Sequence, residues 1–155
     1  MLEKRTQLVC ETIGLDISEV DGFAVLPTSC IPERTDEVLK CGGAIVAESL
    51  DANYHHIIII SDNYIELLPD VAKAVIYHEI GHVVYNSPSL FEVSEEAIQA
   101  EIVADSYAKL KGYSEAMLMF LNYFIDVVSA SEEASESDKA FSLKQFKARA
   151  EALAA

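Results

Sequence analysis

The sequence predicts an α+β fold, a short three-stranded sheet packed on about four to five helices. Two observations carry this. Apolar runs in the first half are only four to six residues long, β-branched-rich and bounded by turn residues, which is the pattern of strands. After Pro69 the apolar positions recur at three- and four-residue intervals, which is the pattern of core-facing helices. With 155 residues, 51% hydrophobic, and only six Gly and four Pro, the chain has the size and composition of one folded domain spanning 1–155 and is neither disordered nor fibrous.

A first helix is expected at roughly 2–14, closed by Gly14. Three strands follow: Phe23-Ala24-Val25-Leu26 before Pro27, Gly43 to Ala47 after Gly42, and 55–60 before Ser61-Asp62-Asn63. The last of these, at about 55–61, is expected to be an exposed edge strand beside the functional site. Pro69 sits where a first helical turn tolerates it, and Asp70 places a negative charge near the positive end of the helix dipole. The next helix carries Val71, Val75, Ile76, Ile80 and Val83 and is stopped by Asn86-Ser87-Pro88-Ser89. Ser94 can cap a further helix opening on Glu95 and Glu96 and running to Gly112. Ser114 is expected to cap a third, nearly apolar all round over 116–128, which implies a central buried helix or a subunit contact, with Met117 and Met119 as core filling. The stretch SASEEASES at 129–137 reads as a solvated linker before a last helix at roughly 138–154, whose basic residues should form a solvated face.

Eleven Lys and Arg against 26 Asp and Glu leave a formal charge of −15, which repels phosphate backbones and anionic lipid and argues against nucleic-acid binding. A cation or a partly cationic partner suits that field better. The three cysteines, Cys10, Cys30 and Cys41, have no zinc-clasping spacing and read as reduced thiols in a cytoplasmic compartment. No export signal is visible at the start, and the most apolar window, 116–128, is interrupted by Asn122 and Asp126 and falls short of the roughly 20 apolar residues needed to span a membrane.

Chemistry concentrates at His78-Glu79-Ile80-Gly81-His82, an H-E-x-x-H motif inside the helix that follows Pro69. Histidines four apart leave one helix face on consecutive turns, so two imidazoles can converge on one Zn²⁺ ion. Glu79 projects about 100° away and can reach a water at the metal without being a ligand. The plain alternative is two histidines satisfied within the core. A hydrolytic zinc site needs a third protein ligand and keeps one position for water. No histidine follows His82, so a carboxylate must serve. Glu101-Ile102-Val103-Ala104-Asp105 sets two carboxylates on one helix face among small or apolar neighbours, so that Glu101 can bind the metal while Asp105 orients a ligand imidazole through its free N–H. Glu92, Glu95 and Glu96 are rivals, better explained by solvation and by compensation of the helix dipole.

The stretches IIIISDNYIELLPDVAKAVIYHEIGHVVY, at 57–85, and EIVADSYAKLKGY, at 101–113, resemble the gluzincin metallopeptidases, most of all the CAAX-prenyl-protease and HtpX-type group. The resemblance implies a zincin-like domain in which an edge strand precedes a short helix, the motif helix and the helix of the third ligand. It implies His78, His82 and Glu101 as zinc ligands, Glu79 as catalytic base and Asp105 as support for a ligand histidine. The group's transmembrane helices and longer insertion have no counterpart here. The compact size and the HEIGH wording also resemble the ImmA/IrrE-type peptidases, whose E-x-x-A-N ending is replaced here by one at Asp105.

The expected activity is hydrolysis of a polypeptide by a zinc-activated water, with one zinc per chain and the 55–60 strand holding an extended substrate by backbone pairing. The alternative is a zinc-stabilised, catalytically idle component of a larger assembly, with the 116–128 helix as its contact. His55 and His56 should point to opposite faces, one packed and one solvated. Tyr107, Tyr113 and Tyr123 read as helix-packing aromatics that could also serve as oxyanion donors.

Overall fold

The computed structural model describes residues 1–155 and is α+β, with seven helices and a three-stranded mixed sheet. The chain divides into two units, Met1–Ile80 and Gly81–Ala155.

The first unit opens with α1 (Leu2–Ile13), which ends where Gly14 turns left-handed at φ 76. The sheet consists of β1 (Phe23–Pro27), β2 (Ala44–Glu48) and β3 (His56–Ile60), in the order β1-β3-β2. β3 is therefore the central strand and not the expected edge. It runs parallel to β1, with Val25 opposite Ile58, and antiparallel to β2, with Ile45 opposite Ile59. The physical reason lies in its four consecutive isoleucines, because a continuous β-branched run is what a strand paired on both sides and covered on both faces requires.

Two six-residue helices, α2 (Thr35–Lys40) and α3 (Asp62–Leu67), are too short to show a helical period in sequence. From α2, Val38 packs with Ile45 and Ile59 on one face of the sheet. The Asp62 carboxylate ties α3 to the turn after β1, accepting from the Thr28 hydroxyl (2.8 Å), the Ser29 N–H (2.8 Å) and the Ser29 hydroxyl (2.9 Å). Gly43, at φ 103, leads into β2 under the Tyr64 ring, where a Cβ would come within 2.2 Å of the ring edge; no other residue fits there. α4 (Pro69–Val84) begins at Pro69, as the sequence predicts.

In the second unit, α5 (Glu95–Leu110) is capped by Ser94, whose hydroxyl accepts from the Ala97 N–H at 3.1 Å. α6 (Ser114–Ala130) differs from expectation in two ways. Tyr113, not Ser114, holds the cap position, and no side chain caps it. The helix is also not buried all round: Met117, Phe120 and Leu121 are covered, whereas Met119, Tyr123 and Val127 are exposed, so Met119 is not core filling. α7 (Glu136–Ala154) packs on α6 through Phe146, 5.8 Å from Phe124, which itself meets Phe120 at 4.9 Å. The linker shrinks to 131–135, because α6 runs on through Ala130 and Ser135 caps α7 through the Asp138 N–H.

The basic side of α7 is not wholly solvated. Lys144 and Lys147 are exposed, with Lys144 on Glu95, but Arg149 is buried on the buried Asp105 of α5. The fork is bidentate, Nε to Oδ2 at 2.8 Å and Nη2 to Oδ1 at 2.9 Å, which fixes both the axial position and the rotation of the two helices against each other.

Candidate metal centre

The helix of the H-E-x-x-H motif buries what sequence usually keeps wet. His78, Glu79 and His82 are all buried along α4, a costly arrangement unless each polar atom has a specific partner or task. His78 and His82 stand one turn apart on that helix. One ligand atom from each of His78, His82 and Glu101 lies within 4.8 Å of the other two. The structure thus brings together the three side chains that the sequence named, as a group that could hold a metal ion.

His82 owes its orientation to the way α4 ends. Asn86 takes a left-handed conformation at φ 49, one that Asn tolerates better than most residues, and this folds the chain back on the last turn. Ser87 then makes two bonds to one residue: its N–H donates to the His82 carbonyl at 2.9 Å, and its carbonyl accepts from His82 Nδ1 at 2.6 Å. Since a carbonyl only accepts, Nδ1 carries a hydrogen and Nε2 is the nitrogen turned toward Glu101. For His82 the orienting role expected of a carboxylate thus falls to a main-chain oxygen.

Glu101 Oε2 lies 3.1 Å from His82 Nε2 and accepts from the Ser89 hydroxyl at 2.9 Å. Ser89 Oγ is also 3.1 Å from His82 Nε2. Asp105, one turn along α5 from Glu101, accepts from Arg149 with both carboxylate oxygens. The rival carboxylates Glu92, Glu95 and Glu96 are exposed, and Glu95 is engaged by Lys144.

Gly81 lets α5 come this close. A Cβ there would stand 2.5 Å from the Ala104 carbonyl oxygen and 2.9 Å from the Tyr107 Cβ, so the smallest residue is required where the helix of Glu101 crosses the motif. A cleft of about 450 Å³ opens beside Ser87, lined also by Asn86, Pro88, Leu90, Gln99 and Val103.

His55 is exposed and His56 stacks on Phe23 at 5.6 Å, the solvated and packed pair that alternation predicts. Tyr107 meets Tyr85 edge to face at 5.8 Å, and Tyr123 is exposed. Burial pushes the Cys10 thiol up, with Asp16 and Glu11 adding to the effect, which suits an inert core cysteine. Ser87, Ser89 and Arg149 were missed in sequence. The turn signal Asn-Ser-Pro-Ser one residue past the last helical turn marked the first two, whereas nothing in sequence connects Arg149 to Asp105, 44 residues away.

No family model, curated protein or solved structure matches this chain. The functional reading therefore stands on the residues themselves. No helix is long and apolar enough to cross a membrane.

Proposed function

We propose that this chain is a zinc-dependent peptidase, working in the cytoplasm on polypeptide substrates. The convergence of His78, His82 and Glu101, two imidazoles and one carboxylate, carries the reading, because this donor set matches that of catalytic rather than structural zinc sites. The donors fit zinc: nitrogen and oxygen atoms, partly or wholly buried, with the tautomer of His82 set by Ser87. Zinc held there would supply Lewis acidity, polarising a peptide carbonyl and bringing the pKa of water toward neutrality.

Glu79 follows the first ligand and is buried without belonging to the three-residue cluster. It accepts a proton from the attacking water as the new carbon–oxygen bond forms, then gives it to the amine nitrogen as the peptide carbon–nitrogen bond breaks. β3 is paired on both sides, so it does not hold the substrate backbone as first expected. β1 is partly engaged too, its Val25 N–H donating to the Thr6 hydroxyl at 2.9 Å. Pairing with an extended peptide is left to β2, the other outer strand of the sheet.

The test is the zinc-loaded wild type beside zinc-loaded Glu79→Gln, each given casein or a peptide library. Folding and zinc content should survive in the variant, and hydrolysis should fall by roughly 10²–10⁴-fold. Equal cleavage by the two would remove Glu79 from the mechanism. A second reading, a zinc-stabilised component of an assembly, is favoured by the exposed apolar face of α6 at Met119, Tyr123 and Val127. That reading predicts bound zinc with no cleavage by the wild type.

A further inference from the structure

Ser89 brings a hydroxyl against two of the three residues proposed as ligands. His82 Nε2, Glu101 Oε2 and Ser89 Oγ form a triangle with sides of 3.1, 2.9 and 3.1 Å. Ligand atoms of one tetrahedral ion bound at about 2.0–2.2 Å stand about 3.3–3.6 Å apart, so the triangle would open by only a few tenths of an ångström to become one face of a coordination shell. The electronic argument agrees with the metric one. His82 Nδ1 carries the hydrogen given to Ser87, so Nε2 turns a lone pair inward; Glu101 Oε2 does the same; the Ser89 hydroxyl has a single hydrogen, given to Glu101, and keeps its oxygen lone pairs. The Ser89–Glu101 side is thus a hydrogen bond, and the oxygen lone pairs that Ser89 keeps can meet a cation beside His82 Nε2 and Glu101 Oε2.

We propose that Ser89 is a fourth donor of the metal centre, holding it closed until the segment 86–94 withdraws. This rests on the reading of His78, His82 and Glu101 as metal ligands. The segment is built to move. None of its residues is buried, Phe91 and Val93 are almost wholly exposed, and its attachments near the centre are the polar contacts of Ser87 and Ser89. A stretch with so little buried apolar surface opens at small cost compared with the helices on either side. Withdrawal would free the position that water and a peptide carbonyl need, and a polypeptide that engages Leu90, Phe91 or Val93 would favour it.

The decisive experiment uses cobalt(II) chloride as the probe and the full chain carrying Ser89→Cys. A thiolate within bonding distance of cobalt(II) adds an intense near-ultraviolet charge-transfer band. The expected result is such a band, saturating at one cobalt per chain and absent from the wild type with its three native thiols. Full cobalt uptake without the band would place the 89 side chain outside the centre and overturn the proposal. Should Ser89→Cys fold poorly, Ser89→Ala decides by zinc titration against a competing chelator. Affinity should fall roughly 10–100-fold, the loss of a group that both donates to a ligand carboxylate and faces the ion. Unchanged affinity would overturn the proposal. Closure itself is read with acetohydroxamate, a small chelating probe, which should bind zinc-loaded Ser89→Ala more tightly than zinc-loaded wild type; equal binding would refute closure. Loss of cobalt uptake in His78→Ala, with uptake kept by the wild type, shows that the three-residue centre is sound whatever Ser89 does. No uptake by the wild type would sink both.

Discussion

His78 and His82 should be equally intolerant of substitution. Both are buried, and each offers one of the three atoms proposed to hold the ion, so His78→Ala or His82→Ala should abolish stoichiometric zinc binding, measured by metal analysis after gel filtration. Zinc should also raise the melting temperature of the wild type and leave both variants unmoved, because an ion that binds only the folded state at 100 times its Kd adds about 2.7 kcal/mol. Glu101 is distinguished from its neighbours by position rather than chemistry. Glu101→Gln should weaken zinc binding strongly, whereas Glu95→Gln and Glu96→Gln, on exposed side chains, should leave it unchanged in the same titration. Metal loss in Glu96→Gln with retention in Glu101→Gln would mean that α5 presents its other face.

Helices α4 and α5 place those side chains, and their crossing depends on Gly81. Adding one methyl there meets main-chain oxygen at 2.5 Å and a Cβ at 2.9 Å, neither of which can swing aside as the end of a flexible side chain would. Gly81→Ala should therefore destabilise the fold by about 1–3 kcal/mol in denaturant titration, the ordinary cost of overpacking. It should also weaken zinc binding, because α5 retreats with Glu101 on it. Unaltered stability and affinity would show that the crossing is looser than the geometry requires. Element boundaries were readable from local signals at Gly14 after α1, Pro69 opening α4 and Ser94 capping α5, though the cap expected at Ser114 falls on Tyr113. They were misread where the signal was only compositional. The serine- and glutamate-rich stretch suggested a linker over 129–137, yet helix occupies both of its ends.

In the second unit, a single buried ion pair joins helices distant in sequence. Arg149 is 5% exposed and Asp105 1% exposed, so truncating the arginine strands a carboxylate away from water. Arg149→Ala should cost about 3–5 kcal/mol in chemical denaturation. Arg149→Ala combined with Asp105→Asn should recover part of that loss, since the stranded charge is gone. Identical losses in the single and double variants would show that packing of the arginine stem, not charge, is what the pair supplies.

Local sequence determined the candidate donor residues and the repertoire of elements. The four-residue spacing of His78 and His82 puts both imidazoles on one helix face in any fold that keeps the helix, and the spacing of Glu101 from Asp105 does the same for the next one. The α+β class followed equally from run length and period, which are properties of a few neighbouring residues. Tertiary structure decided what depends on partners far along the chain. Sheet order is one such matter, because an isoleucine-rich strand can be written without saying which strands flank it, and β3 proved central. The pairing of Asp105 with Arg149 is another, since nothing local in an acid one turn beyond Glu101 names an arginine 44 residues away. The third is Ser89, whose hydroxyl gains meaning only when the left-handed turn at Asn86 carries it back over His82 and Glu101. Periodicity records which way a side chain leaves its own element; only packing fixes what it meets there.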